Sequence, residues 1–219
     1  MNPRRTAPGS APTLLVIAKE PLPGRVKTRL TPPYTPQEAA ALAEAALTDT
    51  LHALLRTPAR RRVLVLDGTP GAWLPPGYEV APQAAGGLDE RIAAAFGLCD
   101  DGPALLVGMD TPQLTPALLA GVGRDGHDAW FGPAADGGFW ALGLAEPARA
   151  GALVTGVEMS TDRTGAVQRR RLADAGLNVA TLPTLRDVDT AADAAAVAAC
   201  CPPGSRFATA MAALAQAVR

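Results

Sequence analysis

Short continuous apolar runs alternate along this chain with longer Ala- and Leu-rich stretches. The run TLLVIA, Thr13–Ala18, is rich in strand formers and is followed by Pro and Gly, which predicts a buried parallel strand. Gln37–Leu55 holds neither Gly nor Pro, and Thr35-Pro36 ahead of it supplies an N-cap and a first-turn residue, so a long helix is expected there. RRVLVLDG predicts a second strand ending at Asp67, Leu88–Leu98 a second helix, and ALLVGMD, Ala104–Asp110, a third strand. Thr115-Pro116 is expected to open a further helix. Strands alternating with helices in this way predict an α/β fold, a three-layer sandwich around a mostly parallel central sheet with right-handed crossovers.

The alternation breaks at DAWFGPA and FWALGL, which flank Ala135-Asp136-Gly137-Gly138. Asp-Gly and Gly-Gly centres suit a tight hairpin, so the sheet is expected to be mixed. Asp162–Ala175 reads as a helix, LNVATLP as a late strand, and Ala191–Ala199 and Ser205–Val218 as closing helices.

Length and composition narrow the class. A chain of 219 residues fits one domain, taken as residues 13–219, behind a flexible tail of residues 1–12 that holds Arg4 and Arg5 but no apolar core. Hydrophobic residues reach 48% with aromatics at only 4%, so the core volume comes from Ala, Val and Leu. A formal charge of −1 offers no general attraction to nucleic acid or anionic lipid, so any anion site must be local. No apolar run approaches the roughly 20 residues that cross a bilayer. Three cysteines, Cys99, Cys200 and Cys201, are an odd number without metal spacing, which points to a reducing compartment. The expected setting is the cytoplasm, with no nucleic-acid or membrane partner.

Ligands of open parallel sheets bind outside the carboxyl ends of the strands, which singles out three loops. In Ala18–Leu30, AKEPLPGRVKTRL, the residues Arg25, Lys27 and Arg29 alternate and would share one side of an extended segment. Gly24 permits close backbone approach, and these cations supply charge-assisted donors to a di- or triphosphate; a solvated basic loop is the plainer alternative. In GMDTPQL, Asp110 follows a buried strand, where a carboxylate can hold Mg²⁺ or merely shape a turn. In LRDVDTAAD, Thr190 and Asp193 have capping-box spacing. That leaves Asp187 and Asp189, either to complete a metal site with Asp110 or to sit favourably at a helix N-terminus.

Three further stretches carry polar groups. Gln83, Gly86, Gly87 and Arg91 either line a nucleobase or phosphate pocket or form a loop-to-helix entry. Asp136, Gly137 and Gly138 form a turn that also admits a ligand close to the backbone. Ser160-Thr161-Asp162-Arg163 caps a helix whose free N–H groups could take an anion.

Together AKEPLPGRVKTRL, QAAGGLDERIAAAF, GMDTPQLTPALL, ADGGFWALGL, STDRTGAV and LRDVDTAAD resemble the bacterial radical-SAM/selenodomain-associated transferases, over Thr13 to about Val197. These have a glycosyltransferase-A-like fold of the nucleotide-diphospho-sugar transferase type. The first loop and the Gly-x-Asp-x-Pro segment are also similar to those of phospholactate guanylyltransferases and molybdenum-cofactor nucleotidyltransferases. The resemblance implies a nucleotide site over Ala18, Lys19, Gly24, Arg25, Lys27 and Arg29, with Gln83 and Gly87 at its border. It places Asp110 at the superfamily's metal-binding aspartate and Asp189 in an Asp-x-Asp-Thr segment like one that supplies a second ligand for Mg²⁺ or Mn²⁺. Lys27 and Asp110 are then the expected catalytic pair, with the acceptor beyond Asp136, Gly137 and Gly138. Two departures stand out: Gln113 occupies a position where the family often has an acid, and the Gly-Gly-x-Ser signature of the molybdenum-cofactor enzymes is absent.

Three basic residues in one loop suit a triphosphate, so the expected activity is Mg²⁺-assisted nucleotidyl transfer to a small phosphorylated acceptor. Glycosyl transfer from a nucleotide sugar and non-catalytic nucleotide binding are the alternatives.

Overall fold

A computed structural model describes residues 11–124 and 126–217. Residues 1–10 of the expected tail and Val218, the end of the expected last helix, lie outside these residues. Pro12 is buried, and its carbonyl accepts the Arg60 N–H at 3.0 Å.

The apolar runs form the strands expected of them: β1 (Thr13–Lys19), β2 (Arg61–Asp67) and β4 (Ala104–Gly108). With β3 (Glu79–Pro82), β5 (Ala129–Pro133), β6 (Phe139–Leu144) and β7 (Val179–Thr181) they make one sheet in the order β3-β2-β1-β4-β6-β5-β7. All pairings are parallel except those of β6 with β4 and β5, so β6 alone runs backwards, returned by the DGG hairpin. The carboxyl ends of the other strands therefore share one edge.

Alternation along the strands divides the apolar residues between two layers. Leu14, Val16, Leu64 and Val107 face α1 (Pro36–Leu55), while Leu15, Val63, Val65 and Leu106 face Ile92 and Phe96 of α2 (Leu88–Phe96). The second layer also takes in α3 (Ala150–Val154) and α4 (Thr164–Asp174). Thr35 and Glu38 close a reciprocal capping box on α1, as Thr190 and Asp193 do on α5 (Ala191–Cys200). A third, smaller cluster joins Leu30, Leu42 and Ala46 to Val188 and to Phe207 of α6 (Arg206–Ala217). No helix among the described residues is long and apolar enough to cross a membrane.

Several local expectations are corrected. The helix expected at Thr115-Pro116 is only a 3-10 turn, Pro116–Leu119, because Gly121 and Gly123, the latter at φ 78°, follow at once. The strand β3 went unread, being a short edge strand that ends in Pro and exposes Val80. The first loop is not extended. Lys27 is left-handed at φ 51° and Thr28–Leu30 form a 3-10 turn, since Val26 and Leu30 are both pulled into the core.

Candidate functional site

The shared strand edge opens into a cleft of about 920 Å³. Each wall is set by what the local chain must bury. On the β1 side, burial of Val26 and Leu30 turns the first loop so that Arg25, Lys27 and Arg29 all line the cleft by separate routes. Arg25 and Arg29 are exposed, but the Lys27 side chain is only 9% exposed. Its ammonium lies 2.6 Å from Asp110 Oδ1 and also donates to the Val188 carbonyl.

Gln83 follows β3 and gives its side-chain amide to the Ala18 carbonyl at 2.7 Å, while its oxygen accepts from Arg91 at 3.3 Å. Arg91 is fixed further by the Gly86 carbonyl at 3.0 Å and by Asp67 at 3.5 Å. Ala18, Lys19, Gln83 and Arg91 thus line one half of the cleft as a braced wall.

Asp110 and Thr111 stand at the end of β4, between the two halves. Thr111 is 1% exposed and its hydroxyl has no partner among the described residues. The segment carrying Asp187 and Asp189 is pinned from three sides. The Ala135 N–H donates to the Leu185 carbonyl at 2.8 Å, Gln113 Nε2 to the Arg186 carbonyl at 2.5 Å, and the Val188 N–H to the Asp110 carbonyl at 3.0 Å. Both aspartates line the cleft but differ in company. Both are half-buried, and Asp189 is the one that pairs with Arg29, at 2.6 Å. Burial, reinforced by the neighbouring Asp136 and Asp110 carboxylates, holds the Asp187 carboxyl above the usual range against the pull of Lys27.

On the far wall the DGG hairpin sits against the start of α4. The Gly165 N–H donates to the Gly137 carbonyl at 2.8 Å, and a Cβ on Gly165 would meet the Gly138 carbonyl oxygen at 2.4 Å. Asp136 accepts the Gly138 N–H at 2.8 Å. Three of the expected site glycines do not line the cleft: Gly24 shapes a turn at φ 74°, Gly87 caps α2, and Gly137 packs beneath the rim on Asp162. Residues not singled out from the sequence do line it, among them Thr111, Phe139 and Met159. Ser160, at φ 61°, is with Lys27 one of two non-glycine residues among those described with positive φ, and both lie in the cleft.

The donor set fits a divalent cation of the Mg²⁺ type. Among the described residues no three metal-ligating side chains converge as a cage. Mg²⁺ needs only one or two carboxylates besides phosphate oxygens and waters, which Asp110 and Asp187 can supply.

The mixed seven-stranded sheet and its covering helices make an α/β fold that matches nucleotide-diphospho-sugar transferase structures. Within that fold the chain belongs to the family described as uncharacterized proteins conserved in bacteria, DUF2064, whose profile matches residues 38–161. It is similar to a crystal structure from Desulfovibrio desulfuricans G20 described as a candidate nucleotide-diphospho-sugar transferase. Identity is 28%, with 83% of each chain covered and a TM-score of 0.76. It also shares its fold with a CMP:2-keto-3-deoxy-manno-octonic acid synthetase complexed with CTP (12% identity, 86% of this chain and 97% of that one, TM-score 0.53). A third likeness is to the inositol-1-phosphate CTP transferase of T. maritima (11% identity, 85% and 92%, TM-score 0.52). Among curated proteins nothing matches.

Proposed function

We propose that this protein transfers a nucleotidyl group from a nucleoside triphosphate to a hydroxyl of a small molecule, assisted by Mg²⁺ or Mn²⁺. One observation carries the reading. The cations of the cleft (Lys19, Arg25, Lys27, Arg29 and Arg91) all come from the β1–α2 half, and Lys27 among them pairs with Asp110. Such clustering suits the dense charge of a triphosphate.

Asp110 and Asp187 would hold the metal, whose charge offsets that developing on the leaving phosphates. Asp187 replaces Asp189 in this role because Asp189 is already paired with Arg29 at the rim. Lys27, Arg25 and Arg29 bind the phosphates and orient the α-phosphorus towards the far wall. The acceptor oxygen forms a bond to that phosphorus while the bond to the bridging β-phosphate oxygen breaks. Pyrophosphate leaves with the electron pair, and the hydroxyl proton is released to solvent. The nucleotidyltransferase neighbours and the sequence resemblance to guanylyl- and molybdenum-cofactor nucleotidyltransferases support this direction.

Glycosyl transfer is the second reading, favoured by Asp187-Val188-Asp189, whose two carboxylates both line the cleft, and by the described class of the Desulfovibrio protein. Non-catalytic binding loses its main support. Gln113 is buried behind the cleft wall, holding the Arg186 carbonyl, so its identity does not remove an acid from the cleft. The test is incubation with nucleoside triphosphates, Mg²⁺ and a pool of small acceptors. Pyrophosphate release is expected; turnover only with a nucleotide sugar, releasing a nucleoside diphosphate, would overturn the proposal.

A further inference from the structure

The charges of the cleft are segregated. Every lysine and arginine lining it belongs to the first loop, β1 or α2, whereas Asp136, Asp162 and Asp187 line the half built by the hairpin, the start of α4 and the Leu185–Asp189 segment. The fourth acid there, Asp189, is neutralised by Arg29. The nearest cations outside this set do not restore balance. Arg186 is paired with Asp193 at 2.9 Å, and neither it nor the exposed Arg163 lines the cleft.

Two backbone donors at the start of α4 are withheld as well. The Thr164 and Gly165 N–H groups at the head of α4, which a phosphate would otherwise use, donate to the Thr161 and Gly137 carbonyls at 3.2 and 2.8 Å. An anionic acceptor would meet the Asp136 and Asp162 carboxylates on this wall, because Lys27 and Arg29, the cations that reach it, are taken up by Asp110 and the Val188 carbonyl and by Asp189.

Independent features show what the wall does offer. Thr111, buried on the cleft lining, keeps a hydroxyl without a partner among the described residues, a group that costs free energy until a ligand pairs with it. Phe139, half-buried and backed by Phe131 at a ring-centroid distance of 5.7 Å, presents an apolar surface beside Met159. Ionised carboxylates accept hydrogen bonds and donate none. Acceptor oxygens next to a flat apolar patch match a molecule with several O–H donors on a carbon skeleton, whose C–H face lies on the ring.

We propose that the hairpin-side half of the cleft binds a hydroxyl-rich acceptor, a sugar or polyol carrying no phosphate or carboxylate, held through Asp162, Asp136 and Thr111 with one face on Phe139. This names the acceptor class for the nucleotidyl transfer proposed above and rests on that reading. It departs from the phosphorylated acceptor expected from the sequence. There the basic loop was visible, but the acids that face it came from three distant segments whose meeting only the fold shows.

The test measures pyrophosphate release by the 219-residue protein with Mg²⁺ and mixed nucleoside triphosphates. The acceptors are either uncharged sugars and polyols or the matching sugar and polyol phosphates. Turnover with the uncharged set and none with the phosphates is expected. Equal turnover with both, or turnover with the phosphates alone, overturns the acceptor class while leaving nucleotidyl transfer standing. No pyrophosphate from either set overturns nucleotidyl transfer and this inference with it.

Asp162 is exposed, so Asp162→Asn should fold as the wild type does. Exchanging a charge-assisted hydrogen bond for a neutral one should raise KM for the acceptor about threefold to tenfold and leave KM for the triphosphate unchanged. Equal changes in both constants, or no change in either, would remove Asp162 from acceptor binding and overturn the assignment of this wall.

Discussion

The Lys27 ammonium stands 2.6 Å from the Asp110 carboxylate, joining the first loop to the end of β4 across the floor of the cleft. The two residues have different tasks in the proposed reaction, one facing phosphates and the other a cation. Each pairs with the other in the structure. In the proposed reaction, metal and triphosphate would exchange this internal pair for two external ones, and Lys27 and the metal would compete for Asp110.

Replacing Lys27 by Met separates the two tasks. With the competing ammonium gone, Mn²⁺ should bind more tightly in the absence of nucleotide, while triphosphate affinity falls about tenfold for want of a charge-assisted bond. Nucleoside affinity should not change. Calorimetry reads all three; parallel losses for metal, triphosphate and nucleoside would mean that the variant merely distorts the cleft.

Asp187 carries the opposite signature. Its carboxylate is half-buried among like charges, so Asp187→Asn should raise the melting temperature of the metal-free protein. At a tenfold excess of Mn²⁺ over its Kd, the wild type should gain about 1.4 kcal/mol, and the variant should lose most of that gain. A variant that is less stable without metal, yet as well protected by it, would return the second ligand role to Asp189.

Much of this architecture was legible in the chain. TLLVIA, RRVLVLDG and ALLVG are continuous apolar runs because their strands are covered on both faces, and that pattern identifies a parallel sheet before any contact is known. Asp110 could be singled out because it directly follows such a run. What could not be read was company. Nothing local tells Asp187 from Asp189, since the difference lies in Arg29 reaching one and the Asp110–Asp136 field surrounding the other, across more than 50 residues of chain in each case. The 3-10 turn after Thr115 and the turned first loop were missed because Gly placement and buried Leu30 overrode local preference.

Gln113 is expected to act through the backbone it holds. Its amide nitrogen donates to the Arg186 carbonyl at 2.5 Å from a site only 8% exposed. A carboxylate there would face a carbonyl oxygen, so Gln113→Glu should destabilise the fold by about 1–3 kcal/mol in urea titration. Gln113→Met, which fills the space without the charge, should cost less. The reverse order would show that the donated hydrogen bond is not what holds the segment.

Gly165 supplies a test of sign. Gly to Ala inside a helix ordinarily stabilises by about 0.5–1 kcal/mol. Here the new methyl would meet two hairpin carbonyl oxygens, at 2.4 and 2.8 Å, so Gly165→Ala should instead destabilise by about 1–3 kcal/mol. It should also raise KM for the acceptor more than for the nucleotide, because the displaced hairpin belongs to one wall only. Thermal melting and steady-state kinetics check the two halves of this expectation.

The third hydrophobic cluster gives the last helix a part in chemistry that it never touches. Leu30 follows Arg29, Val188 lies between Asp187 and Asp189, and both side chains rest with Phe207 in one apolar seat against α1. Asp49 of α1 fastens that seat from below, accepting the Arg206 and Phe207 N–H groups at 3.0 and 2.9 Å. The cationic arm and the acidic arm of the cleft therefore share a single foundation. A chain ending before Ser205 would keep every polar residue named for the reaction, yet lose the common footing that sets their spacing.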